Sequence, residues 1–152
     1  MDEISKLRRI LAGSKTIAVV GLSANWWRPS YFAAKYMQGH GYRILPVNPQ
    51  YNEVLGEKCY KTLREISDPV DIVDCFRNSA EIEAIADDAI AIGARCLWMQ
   101  LGVENAAAKA KAEAAGLDVI TNRCVKIEHA RLFGGLGWAG VNTRVISAKR
   151  PT

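Results

Sequence analysis

The stretch Thr16–Pro49 reads TIAVVGLSANWWRPSYFAAKYMQGHGYRILPVNP. An apolar, largely β-branched run, Ile17 to Val20, stops at Gly21. A short polar loop follows, then a helix expected over about residues 30–38. A second apolar run then ends in Pro46-Val47-Asn48-Pro49. This is the strand–loop–helix–strand unit that opens an α/β domain. In such a unit the loop after the first strand faces the ligand, and the helix N-terminus attracts anions. The end of the second strand declares the ligand, because enzymes that use NAD carry Asp or Glu there to hold the ribose hydroxyls. Here that position is Asn48, and the loop GLSANWWRPS contains no GxGxxG. The expected ligand is a phosphorylated nucleotide other than ordinary NAD.

Working outward, apolar runs and helical periodicities alternate along the chain. An N-terminal helix is expected over about 2–11, stopped by Gly13. Further strands are expected at 42–47, 70–76, 95–99 and 117–121. Helices are expected at 81–92, 104–115 and 124–132, with a short one at 62–66. Residues 50–61 read as a loop. Five strands joined by short helical connections predict a doubly wound parallel sheet covered on both faces, in three layers. The strand order should reverse at the first strand, beside Gly21. The domain is expected to span residues 1–132. Residues 133–152, which begin with a glycine-rich segment and end VNTRVISAKRPT, are expected to form a basic tail.

With 152 residues the chain suits one core. A net charge of +4, spread along the sequence, permits a small anionic ligand and gives no basic block of the kind that reads nucleic acid. No apolar run has the length of a membrane span and no signal peptide is legible, so neither nucleic acid nor a membrane is an expected partner. Cys59, Cys75, Cys96 and Cys124 lack zinc-ligand spacing; Cys75 and Cys96, inside apolar strand-like runs, read as buried free thiols, and a reducing cytoplasm is the expected compartment. No metal is expected.

The candidate ligand contacts fall at strand ends. Gly21, Leu22 and Ser23 open the loop, and Ser23 and Ser30 can offer hydroxyls to phosphate. Arg28, just before the helix, offers a planar two-point donor. Pro46, Val47, Asn48 and Pro49 form a stiff strand end able to sandwich a base, with Asn48 reaching base or ribose or serving as a turn residue. Phe76 and Arg77 can stack on the ligand and pair with phosphate, and Gln100 is the polar group at the fourth strand end. Of the adjacent Trp26 and Trp27, one is expected at the core edge and the other over a ligand or partner. Cys124, Glu128 and His129 lie close in sequence without a readable base–orienter order, so His129 is read as a packing residue and His40 as a capping or solvent-facing one.

Taken in order, VVGLS, RPSY, GYRILPVNP, LGEKCY, VDIVDCFR, ARCLWMQLGV, AGLDVI and NRCVKIEH resemble the small single-domain CoA-binding protein family over about residues 15–132. That family is similar to the CoA-binding domain of the succinyl-CoA synthetase alpha subunit. The resemblance implies a Rossmann-like fold with CoA or an acyl-CoA across the sheet edge, its phosphates at the Gly21–Ser30 loop and its nucleotide at Pro46–Pro49. The chain departs from the pattern at Ala24-Asn25-Trp26-Trp27, where relatives often carry proline and smaller residues. It contains nothing like the synthetase's ligase domain, so binding rather than a reaction is expected, as a sensor, carrier or accessory protein. The alternatives are an NADP-dependent oxidoreductase, with Arg28 or Arg43 on the 2′-phosphate, or an interaction module using the tryptophan loop.

Overall fold

The computed structural model describes residues 2–134. Five parallel strands form the sheet: β1 (Thr16–Val20), β2 (Arg43–Val47), β5 (Ile72–Cys75), β6 (Cys96–Met99) and β7 (Asp118–Ile120). Their order is β2-β1-β5-β6-β7, so the chain reverses direction across the sheet between β1 and β5. That is the switch point at which doubly wound sheets open a crevice.

Side chains alternate between the two faces, as the pleat requires. Leu97 and Met99 join Val73 and Cys75 on one side, while Cys96 and Trp98 join Ile17, Val19, Ile44 and Ile72 on the other. The first side is covered by α3 (Ile82–Ala91) and α4 (Ala106–Ala114), which contribute small residues such as Ala86 and Ala112. The second is covered by α1 (Glu3–Gly13), α2 (Pro29–Gly39) and α5 (Val125–Phe133), which contribute Leu7, Ala34, Met37 and Val125.

Local chemistry sets the helix starts. The Asp2 carboxylate accepts from the Ser5 amide at 2.7 Å, and Asn105 Oδ1 accepts from the Ala108 amide at 2.9 Å. Pro29 occupies the first turn of α2, where its missing N–H costs nothing, and Arg28 is its N-cap without a side-chain capping bond. The expected last helix gains Phe133; beyond Gly134 the expected tail lies outside the described residues.

Residues 50–61 hold structure where a loop was expected. A small hairpin, β3 (Glu53–Val54) with β4 (Glu57–Lys58), turns through Leu55 and Gly56. Their φ angles of 55° and 77° suit a tight two-residue turn. The segment returns beside β2 through a parallel bridge between Val47 and Tyr60. Strands of two residues carry no periodicity to read. At the opposite edge, α1 reaches over β7: Lys6 Nζ donates to the Val119 carbonyl at 2.9 Å and Arg9 pairs with Asp118 at 3.0 Å.

Candidate functional site

At the C-terminal ends of the strands lie two clefts that share Arg77 and Glu81. The smaller, about 320 Å³, lies toward β2 and is lined by Gly21, Val47, Asn48, Pro49, Lys61 and residues of α3. The larger, about 620 Å³, lies toward β6 and α5; Arg28, Phe76, Gln100, Leu101, Cys124 and Ile127 are among its walls. Arg77 donates to Glu81 from Nε at 3.1 Å and from its terminal nitrogen at 2.8 Å, forming the divide between them.

The loop after β1 is drawn tight against β5. Gly21 has φ +88°, and its amide donates to the Val47 carbonyl at 2.9 Å. A Cβ here would strike the Phe76 carbonyl and the Arg77 side chain. Glycine is therefore required for close approach of backbone to backbone. Leu22 turns fully into the core, which removes its side chain from any ligand. Ser30 is also buried, and its Oγ accepts from the Ser23 amide at 3.0 Å. Ser23 Oγ in turn accepts from the Asn25 amide at 3.0 Å. Ser30 thus braces the loop from inside, while Ser23 stays half-buried at its surface.

The end of β2 is also more scaffold than contact. Pro46 is buried. The Asn48 amide is engaged at both ends: Nδ2 donates to the Leu22 carbonyl at 3.1 Å and Oδ1 accepts from the Gln50 amide at 2.9 Å. It ties β2 to the loop after β1 and closes a turn, in keeping with the turn reading, and Asn48 also lines the smaller cleft. Val47 and Pro49 remain as cleft wall. Arg43 stands at the start of β2, away from the ligand-facing ends, and pairs with Asp68 at 2.8 Å. That placement removes it from a 2′-phosphate site. Trp26 and Trp27 are 66% and 59% exposed, their rings edge-to-face at 5.8 Å, so neither caps the core.

Gln100 is only 3% exposed yet lines the larger cleft. Its Nε2 donates to Asp74 Oδ1 at 2.5 Å, which leaves Oε1 without a donor among the described residues. Asp74, 1% exposed in the middle of the sheet, is a group the sequence reading passed over. Burial pushes its carboxyl up to about 7, against the downward pull of the Gln100 bond. The signal was present, as an acid inside the apolar run IVDCF. Lys61 was also missed; its amino group donates to the Pro49 and Tyr51 carbonyls at 3.0 and 3.4 Å.

Cys124 and His129 face different spaces. Cys124 lines the larger cleft, whereas His129 lines a cavity of about 270 Å³ with Leu11, Tyr42 and Phe133. His129 Nδ1 bonds the Tyr36 hydroxyl at 3.0 Å, and burial followed by His40 lowers its basicity. Glu128 is buried between Arg131 at 2.9 Å and Arg123 at 3.4 Å. His40 is the C-cap residue of α2, exposed, with Nδ1 on the Tyr36 carbonyl at 2.8 Å. Among the described residues no group of His, Cys, Asp and Glu could hold a metal ion, and no helix is long and apolar enough to cross a membrane.

A family described as a CoA binding domain matches residues 15–130. The chain belongs to this CoA-binding domain family. The Bacillus subtilis (strain 168) protein YneT is 40% identical over 126 residues, 83% of this chain and 93% of YneT. A solved structure of a hypothetical protein from Pyrococcus horikoshii OT3 superposes with a TM-score of 0.85 at 40% identity, covering 88% of this chain and 94% of the other. An ADP-forming acetate–CoA ligase of Methanocaldococcus jannaschii is 33% identical over 58 residues, which are 38% of this chain and 8% of the ligase. The fold is the Rossmann-like α/β sheet of these small single-domain neighbours.

Proposed function

We propose that the chain binds CoA, free or as an acyl thioester, along the crevice and acts as a binding protein in a sensor or accessory role. The observation that carries this reading is the pair of clefts meeting at Arg77 across the β1/β5 switch point. In a doubly wound fold the nucleoside end of a ligand meets the end of the second strand. The smaller cleft at Val47 and Pro49 therefore takes the adenosine. The phosphates pass Arg77 and the N-terminus of α2, where Arg28 adds charge to the helix amides. The pantetheine arm lies in the larger cleft. Its amide N–H groups are the donors that the buried Gln100 Oε1 lacks, so the residues present fit the ligand.

Thermal unfolding with CoA, acetyl-CoA, NAD and NADP tests this. CoA held at about 100 times its dissociation constant adds about 2.7 kcal/mol, and the unfolding temperature rises accordingly. Equal shifts with NAD or NADP would remove the specificity, and no shift with CoA would remove the reading.

A further inference from the structure

The larger cleft contains a thiol whose surroundings differ from those of the other three. Cys59, Cys75 and Cys96 are buried, and burial raises the pKa of each. Their thiolates are suppressed and their sulfurs are out of reach of a disulfide in solution. Cys124 is half-buried and lines the larger cleft. It is the N-cap residue of α5 but makes no side-chain capping bond, and its Sγ has no hydrogen-bond partner among the described residues. A second and independent feature marks the same cleft as a ligand site. The Gln100 side chain, buried to 3% exposure, lines this cleft; its nitrogen is held by Asp74, and its carbonyl oxygen has no donor among the described residues. A buried acceptor without a donor is costly unless a ligand supplies one.

We propose that Cys124 is a thiol–disulfide exchange site that captures CoA from a CoA disulfide. The proposal rests on the CoA-binding reading. With the nucleotide in the smaller cleft, the sulfur end of the ligand lies in the cleft that holds Cys124. The Cys124 thiolate attacks the CoA-side sulfur of the bound disulfide. The old S–S bond breaks, a new bond joins Cys124 Sγ to the CoA sulfur, and the departing thiolate takes a proton from water. One disulfide is consumed and one is formed, so the ligand itself supplies the oxidising equivalent. The product carries its own CoA in the crevice, and an external thiol reverses it by the same chemistry.

The full-length protein is incubated with CoA disulfide, and separately with glutathione disulfide, and the intact mass and cysteine-containing peptides are followed in time. The expected result is a single adduct with the mass of CoA less two hydrogens, on Cys124 alone. It should form at least about tenfold faster than the glutathione adduct, because a held disulfide reacts at a raised effective concentration. The adenosine bisphosphate half of CoA should compete and slow it. Cys124→Ser should form no adduct. Equal rates for the two disulfides, or an adduct elsewhere than Cys124, would overturn the proposal. If reduced CoA shifts the unfolding temperature of the parent protein while Cys124 stays unmodified, the exchange site falls and the binding reading stands. If reduced CoA gives the parent protein no shift, both fall.

Discussion

The two clefts on either side of Arg77 are built from different kinds of residue. In the smaller one two polar side chains are engaged by the chain's own backbone. Asn48 bonds backbone at both ends of its amide, and Lys61 sits on two carbonyls. In the larger one Gln100 keeps a free oxygen, Cys124 keeps a free sulfur, and Arg28 has no ion pair among the described residues. The first cleft has its shape fixed by its own hydrogen bonds and can select by fit. The second keeps its donors and acceptors for something outside the chain. Substitutions in the two should therefore fail differently, one in folding and the other in binding.

The largest effect is expected beneath the larger cleft. The Asp74 carboxyl has an ordinary value of 3.8 and stands at about 7 in the fold. The folded chain binds the extra proton between those values, so this contribution is fully present below pH 3.8 and is lost as pH rises through about 7. Asp74→Asn keeps an acceptor for Gln100 and removes the charge. It should be more stable than the parent at about pH 8, by an amount on the order of 4 kcal/mol, and no different near pH 3. Urea unfolding at both pH values checks this; a variant less stable at the higher pH would show that the ionised carboxylate is better compensated than its one bond to Gln100 implies.

Asn48→Ala comes next. It strips a donor from the Leu22 carbonyl and an acceptor from the Gln50 amide, at a cost of about 2 kcal/mol in stability. Once allowance is made for the lower midpoint, the affinity for CoA should change little. A calorimetric titration in which the folded variant loses most of its affinity would place Asn48 among the direct contacts.

Arg28→Ala should behave in the opposite way. The exposed guanidinium leaves folding unaltered, and CoA binding weakens by about 1.5 kcal/mol, the value of one charge-assisted contact. Unchanged titration curves would take the phosphates away from the start of α2. The smallest effect belongs to the loop beyond both clefts. Replacing Trp26 and Trp27 with serine should alter stability by less than about 0.5 kcal/mol and leave CoA affinity unchanged. A loss of affinity there would extend the larger cleft onto the tryptophan loop.

The sheet was legible because each strand is a short β-branched or apolar run bounded by a glycine, a proline or a polar residue, and because a parallel sheet needs a crossover between such runs. The β3–β4 hairpin was not, since it holds only two residues per strand and is secured by a bridge to Val47. At the site, the sequence shows which residues stand at strand ends but not where their side chains are engaged. Asn48 is committed to a carbonyl 26 positions earlier, and Ser30 to an amide seven positions earlier. Both look identical to ligand contacts until the chain closes. Cys124 was readable as a thiol, but its cleft exists only once Arg28, Phe76 and Leu101 are brought around it.

The α1 contacts across β7 bear on how copies of this protein meet one another. A parallel sheet ends in two strands whose outward backbone groups can recruit a stranger's strand. Here the β2 border is filled by the chain's own Tyr60 segment. The β7 border has its Val119 carbonyl occupied by a lysine amine, with an arginine clamp on Asp118 beside it. An arriving strand would have to displace an ammonium group before its first hydrogen bond could form, and the charge it met would repel another copy bearing the same lysine. Chemical neutralisation of Lys6 would lift that protection, turning a capped border into a template for sheet-to-sheet growth.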